Sequence, residues 1–211
     1  HIPINRPIDI KLQSDDVIHS FWVPKLGGKL DMVPLNDNYM WLLAEETGIY
    51  YGQCAEFCGV AHALMRFRTI AENEQDFENW VEGMRTEPIP PQSESEINGR
   101  NLFMAQCSMC HTNNSYAPGS YIKEINSQKS RWDNWLNDTE NSPQVSAPNL
   151  TNFGTRHTVG AGIKEFSKEN PDNLVKWIED PSSIKIGTRM EKHASIYKTE
   201  ENRLTDSDIK D

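Results

Sequence analysis

The chain changes its hydrophobic period once, and that change limits its folds more than any other feature. The turning point is Thr86-Glu87-Pro88-Ile89-Pro90-Pro91-Gln92-Ser93-Glu94-Ser95-Glu96, with three prolines, three glutamates and no large apolar cluster. It reads as a stiff, charged linker, placed at 87–97. Before it, apolar residues alternate: Ile8, Ile10 and Leu12 fall on one side of a strand, Asp9 and Lys11 on the other. Short segments around Phe21-Trp22, Met40-Trp41-Leu42, Tyr50-Tyr51 and Phe67 are rich in aromatic or branched residues and bounded by Gly, Pro, Asn or Asp. Strands at this pitch predict an all-β sandwich or barrel over 1–86. Phe77, Trp80, Val81 and Met84 then recur at helical spacing, so a short helix over 73–84 is expected to close it.

After the linker the period is helical, which predicts an all-α domain over 98–211. Ile97, Leu102 and Phe103 fall near one helix face. Leu174, Trp177 and Ile178 form a stripe behind Asn170 as cap and Pro171 as first helical residue. Thr205 with Asp208 three residues on predicts a capping box. Trp22, Trp41 and Trp177 are expected in the cores, and Tyr50 and Tyr51 on a strand.

The net charge of −10 argues against nucleic acid and fits a basic protein partner. Residues 1–86 carry 7 Lys+Arg against 13 Asp+Glu, so an acidic docking face is expected there. No run of eighteen apolar residues occurs, so no segment here is expected to span a bilayer. The chain opens in His1-Ile2-Pro3-Ile4, which looks like mid-domain sequence, and a longer parent chain is expected.

The four cysteines form two close pairs. Cys107-Ser108-Met109-Cys110-His111 is the C-x-x-C-H pattern of covalent c-type haem. Two thiols must reach the two vinyl groups of one porphyrin, and the adjacent imidazole must lie beneath the iron. A dithiol redox pair beside a chance histidine is the competing reading. Met190 is the one methionine after His111 and the expected sixth ligand, with His193 as rival and His157 as an ordinary loop histidine. A thioether in that place raises the potential relative to a second imidazole. Arg156 and Arg189 are candidates to pair with haem propionates. Trp132 and Trp135 lie in a long insertion over 112–146 to which no role is assigned.

The other pair lies in Gly52-Gln53-Cys54-Ala55-Glu56-Phe57-Cys58-Gly59-Val60-Ala61-His62-Ala63-Leu64-Met65. A Cys54–Cys58 disulfide would leave His62 and Met65 idle. One zinc could take both thiolates, His62 and a further histidine such as His19, leaving Met65 idle. Copper has a use for thiolate, imidazole and thioether together. Two thiolates can also bridge two coppers, with His19 and His62 as imidazoles and Met65 and the Glu56 carbonyl as weak ligands.

Asp15 to Pro24, Lys29 to Pro34 and the Cys54–Met65 loop closely resemble the CuA domain of cytochrome c oxidase subunit II. With the linker and the haem motif, the chain resembles the caa3 type, in which that subunit carries a fused class I cytochrome c. The segment from Trp177 to Met190 resembles that cytochrome's ligand loop, although Ile186 stands where the pattern usually has proline. Pro148 resembles the residue whose carbonyl orients the proximal histidine; Ala147 stands where glycine is frequent, and Leu35-Asn36 where the oxidase pattern often has Gly-Arg. The resemblance implies a cupredoxin-like Greek-key sandwich lacking its first strands and membrane anchor, then a class I cytochrome c domain with its last helix cut short. It implies electron transfer from a donor cytochrome or upstream respiratory complex, through haem c and binuclear CuA, to haem a of subunit I. It further implies a membrane complex with other subunits, these domains on the periplasmic face, and a magnesium ion at the subunit boundary held through Glu56. A CuA-bearing denitrification reductase, or a non-copper module fused to a cytochrome, is the alternative.

Overall fold

The computed structural model describes residues 1–14, 16–86, 89–108, 110–111, 147–148 and 150–210. Trp132, Trp135 and the whole 112–146 insertion lie outside the described residues, as does part of the expected linker. The chain groups into two compact units, one of His1–Met84 with Arg156–Thr188, the other of Arg85–Thr155 with Arg189–Asp211.

The first unit is rich in sheet, as the alternation predicted. Its strands are β1 (Ile2–Pro3), β2 (Ile8–Leu12), β3 (His19–Trp22), β4 (Lys29–Met32), β5 (Asn38–Leu42), β6 (Gly48–Cys54) and β7 (Arg66–Glu72). Five of them form one sheet in the order β1-β7-β6-β3-β4, while β2 and β5 pair separately as an antiparallel ribbon. Only β1 and β7 run parallel among these named pairs. In β2 the even positions turn inward, and Leu12 is buried. Leu42 and Val23 are the largest fully buried aliphatic side chains described. Ile2, Ala44 and Ala71 make a small core cluster, with Ile4, Ile8, Leu26 and Tyr50 packed on it.

Helix α1 (Glu74–Arg85) follows β7 as expected. Asn73 caps it, accepting from the Asp76 amide at 3.0 Å. Trp41 departs from expectation: it is 63% exposed on β5, not core. Met40 and Leu42 take the inward positions there, and period two forces their neighbour outward.

In the second unit, α2 (Glu94–Leu102) starts at a full capping box between Ser93 and Glu96. It continues into a wider helical turn at Phe103–Cys107, where the Ser108 amide bonds the Phe103 carbonyl at 2.9 Å.

The later helices are α3 (Asp172–Glu179), α4 (Pro181–Ile184), α5 (Arg189–His193) and α6 (Asp206–Lys210). Asn170 does not cap α3. Its own amide is held by the Ser167 hydroxyl, and Pro171 takes the cap position without a side-chain bond. The Thr205–Asp208 box forms as predicted, with reciprocal bonds of 2.8 and 3.2 Å.

The expectation of an all-helical second half needs one correction. Strands β8 (Thr158–Val159) and β9 (Lys164–Glu165) pair antiparallel. Gly160, Ala161 and Gly162 between them all have positive φ, and that left-handed run reverses the chain. This hairpin belongs to the first unit: the Arg66 amide donates to the Ala161 carbonyl at 3.1 Å, and the Arg68 guanidinium to the Gly162 carbonyl at 3.0 Å. A side chain on Gly162 would come within 2.9 Å of the Arg66 carbonyl, so glycine permits the approach.

Candidate metal centre

Strand register brings His19 to the thiols. Phe21 on β3 pairs with Cys54 at the end of antiparallel β6. The chain leaving Cys54 therefore runs back along β3, and the Ala55 amide donates to the Ser20 carbonyl at 3.0 Å. His19 and Cys54 share a sheet face, since His19 lies two residues from Phe21. The loop base closes where the Cys54 amide donates to the Met65 carbonyl at 2.9 Å, one residue before β7. A single helical turn, His62–Leu64, fills the loop's return arm.

The donors form a row. His19 Nδ1 lies 3.7 Å from Cys54 Sγ, the two sulfurs are 3.8 Å apart, and Cys58 Sγ lies 3.5 Å from His62 Nδ1. The Glu56 carbonyl oxygen is 3.3 Å from Cys54 Sγ. Both cysteines are free thiols, far beyond the ~2.05 Å of a disulfide. Met65 is half-buried at the loop's foot, and the Glu56 side chain is exposed.

His19, Cys54 and Cys58 offer ligand atoms all within 4.8 Å of one another, and His62 meets this group at Cys58. Two thiolates with two imidazoles can take one tetrahedral zinc or bridge two metals. Thiolate, imidazole and thioether are the set that selects copper.

Proton affinities along the row are uneven. Burial alone would raise the Cys54 thiol, but hydrogen bonds at Glu56 and Ser20 backbone and from both imidazoles bring it down to about 7. Burial and its thiol neighbour push Cys58 up to about 11. The first proton therefore leaves this pair near neutrality, which favours metal uptake.

Packing behind the row is tight. Phe67 crosses its register partner Gly52 to stack on Phe21, with ring centroids 4.8 Å apart. A Cβ on Gly52 would sit 2.3 Å from the Phe67 ring. Sequence reading did not single out Gly52, although glycine inside a strand signals close approach.

The N-terminal part matches the family model for the periplasmic domain of cytochrome c oxidase subunit II over residues 1–71. The chain is similar to cytochrome c oxidase subunit 2 of Alkalihalophilus pseudofirmus, at 37% identity over 191 residues, covering 90% of this chain and 47% of that protein. Cytochrome c oxidase subunit 2 of Bacillus subtilis is 34% identical over 196 residues, covering 90% and 48%. The chain thus spans about half the length of the curated relatives it matches.

Among solved structures, the periplasmic domain of subunit II from Bradyrhizobium japonicum is 38% identical, covering 39% of this chain and 60% of that one, at a TM-score of 0.38. A complex trapped as a mixed disulfide between a thioredoxin-like protein and a cytochrome c oxidase subunit II is 37% identical over 39% of this chain and 58% of that one, at a TM-score of 0.35. A CuA copper centre is expected of the periplasmic domain whose family model matches residues 1–71. The donor row here fits that group: the sulfurs are unbonded to each other, and each has an imidazole within 3.7 Å.

In the second unit, Cys107, Cys110 and His111 sit around one turn of the chain. The Cys110 and His111 amides both donate to the Cys107 carbonyl, at 3.1 and 2.9 Å. Spacings of three and four residues put the two thiols and the imidazole on one side. His111 Nδ1 lies 2.8 Å from the Pro148 carbonyl, so that nitrogen donates and the other ring nitrogen faces away. Burial, then the nearby Cys110, raises the Cys107 thiol. Met190 is half-buried at the start of α5, and His193 is exposed at its end. Arg156 belongs to the first unit, is largely exposed, and is lowered in pKa by partial burial.

Proposed function

We propose that this chain is the electron-transfer subunit of a terminal haem–copper oxidase of the caa3 type. It takes electrons from a basic donor cytochrome or upstream respiratory complex at a covalent haem c, and delivers them through CuA to subunit I. Oxygen reduction belongs to that other subunit. One observation carries the reading: His19, Cys54, Cys58 and His62 form a row in which each sulfur has its own imidazole.

His19, Cys54, Cys58 and His62 would hold two coppers, with Met65 and the Glu56 carbonyl as the weak ligands. When bound, the pair supplies a one-electron relay whose odd charge is shared over both metals. The chain's part is to keep that geometry fixed. Strands β3, β6 and β7 anchor the loop at both ends, and Phe21, Gly52 and Phe67 pack behind it.

Cys107 and Cys110 would carry haem c as thioethers, with His111 and Met190 as axial ligands. When bound, that haem supplies an entry point for single electrons. The His111–Pro148 hydrogen bond supports the assignment, because it orients the ring and leaves the other nitrogen for iron. The exposed Glu56 carboxylate is proposed to meet a magnesium ion at the boundary with subunit I. These domains would lie on the periplasmic face, attached through segments of the longer subunit.

Metal analysis with electronic absorption and EPR tests the reading. Two coppers with a mixed-valence signal and one low-spin haem iron per chain support it. One zinc, or copper signals of isolated ions, would overturn it.

A further inference from the structure

We infer that Asp16 is the positioning residue of the copper ligand His19. The inference rests on the copper reading above.

Asp16 Oδ1 lies 2.7 Å from His19 Nε2. An ionised carboxylate only accepts, so the proton sits on Nε2 and the Nδ1 lone pair is free. Nδ1 is the nitrogen 3.7 Å from Cys54 Sγ. One hydrogen bond thus selects the tautomer and aims the ligating nitrogen at the thiol row.

The carboxylate is itself held. The same oxygen accepts from the Val17 amide at 2.8 Å. The buried Ser14 hydroxyl accepts from the Asp16 amide at 3.4 Å and donates to the Val17 carbonyl. Ser14 also forms a bridge with Pro34, tying this loop to the segment after β4. His19 is largely enclosed, at 14% side-chain exposure against 33% for Asp16, so little solvent competes for its Nε2. The His19 ring is therefore oriented before any metal arrives. A carboxylate on the far nitrogen also makes an imidazole a stronger ligand.

The test compares Asp16→Ala with Asp16→Asn in the full chain. Readouts are copper affinity by competition, the EPR hyperfine pattern and the copper potential; urea midpoints of the metal-free forms control for folding. Asparagine keeps an acceptor oxygen but no charge. Asp16→Ala is expected to weaken copper binding about 10–100-fold and alter the hyperfine pattern. Asp16→Asn is expected to keep the mixed-valence pattern and shift the potential upward. If Asp16→Ala matches the parent in affinity, pattern and potential, or if Asp16→Asn is as damaged as Asp16→Ala, the positioning role is wrong. A parent chain with no mixed-valence copper signal would instead remove the copper reading, and this inference with it.

Discussion

Single atoms decide whether the candidate centre would take one metal or two. Cys58 lies between the Cys54 sulfur and the His62 imidazole, at 3.8 and 3.5 Å, so in the proposed pair it is one of two bridging thiolates. Cys58→Ser should abolish the binuclear centre while a single copper still binds at His19 and Cys54. Retained mixed-valence EPR lines would refute the bridging role. Met190 is tested separately. Met190→Ala should leave the haem high-spin, or shift its potential downward if His193 takes the place. An unchanged low-spin spectrum with an unchanged potential would remove Met190 from the ligand set. His19 and the Cys54–Met65 loop were legible in sequence because soft donors at fixed spacing are rare in loops. Asp16 was not legible as a partner, because a carboxylate three residues before a histidine is common and means nothing until the ring is placed.

At the scale of elements, two features set the scaffold. Gly52 on β6 leaves room for Phe67 of β7 to reach Phe21 of β3. Gly52→Ala should lower the first unit's stability by about 1–3 kcal/mol, the usual cost of overpacking. Phe67→Leu in the same chain should recover most of that loss, measured as urea midpoints. Absence of rescue would show that the ring is not the obstacle.

The start of α2 gives a pH prediction. The Glu96 carboxylate accepts from the Ser93 and Gln92 amides at 2.9 and 2.8 Å, and those bonds hold it below the ordinary value of 4.5. A folded-state pKa below the unfolded one means stabilisation that is complete above 4.5 and lost as pH falls through the folded value. Exchange of those two amides should accelerate on acidification beyond its intrinsic pH dependence, and Glu96→Gln should flatten that response. The box itself was readable in sequence as Ser93 followed by Glu96, although the Thr205–Asp208 box was the one singled out. The Asn170 cap fails because Pro171 takes the cap position without a side-chain bond, while the Ser167 hydroxyl holds Asn170's own amide in the turn before it. Sequence order does not show which residue of such a turn ends at the cap.

For the whole molecule, charge is the property that reaches a partner. The chain carries −10, and its first 86 residues hold 13 acids against 7 bases. Electron transfer from a basic donor should slow as ionic strength rises, because exposed charges are screened beyond about 8–10 Å at physiological salt. Second-order rates that do not respond to salt would remove the acidic docking face. The compact units do not follow chain order: Arg156–Thr188 folds with His1–Met84. That grouping arises from backbone contacts of Arg66 and from the Arg68 guanidinium with the Ala161–Gly162 turn. Nothing in the helical periodicity of residues 98–211 announces it, since a main-chain carbonyl carries no residue signature.

The sequence alone determined the chemistry and the local elements. Donor softness and spacing are properties of side chains, and alternation or helical period needs only nearest neighbours. Tertiary structure alone decided how the donors are grouped and what stands behind them. The register of β3 on β6 places His19 beside Cys54 across 35 residues of chain. The loop's closure leaves His62 beside the other sulfur, and the left-handed 160–162 turn reaches back to β7. Those outcomes depend on distances between residues far apart in the chain, which periodicity does not encode.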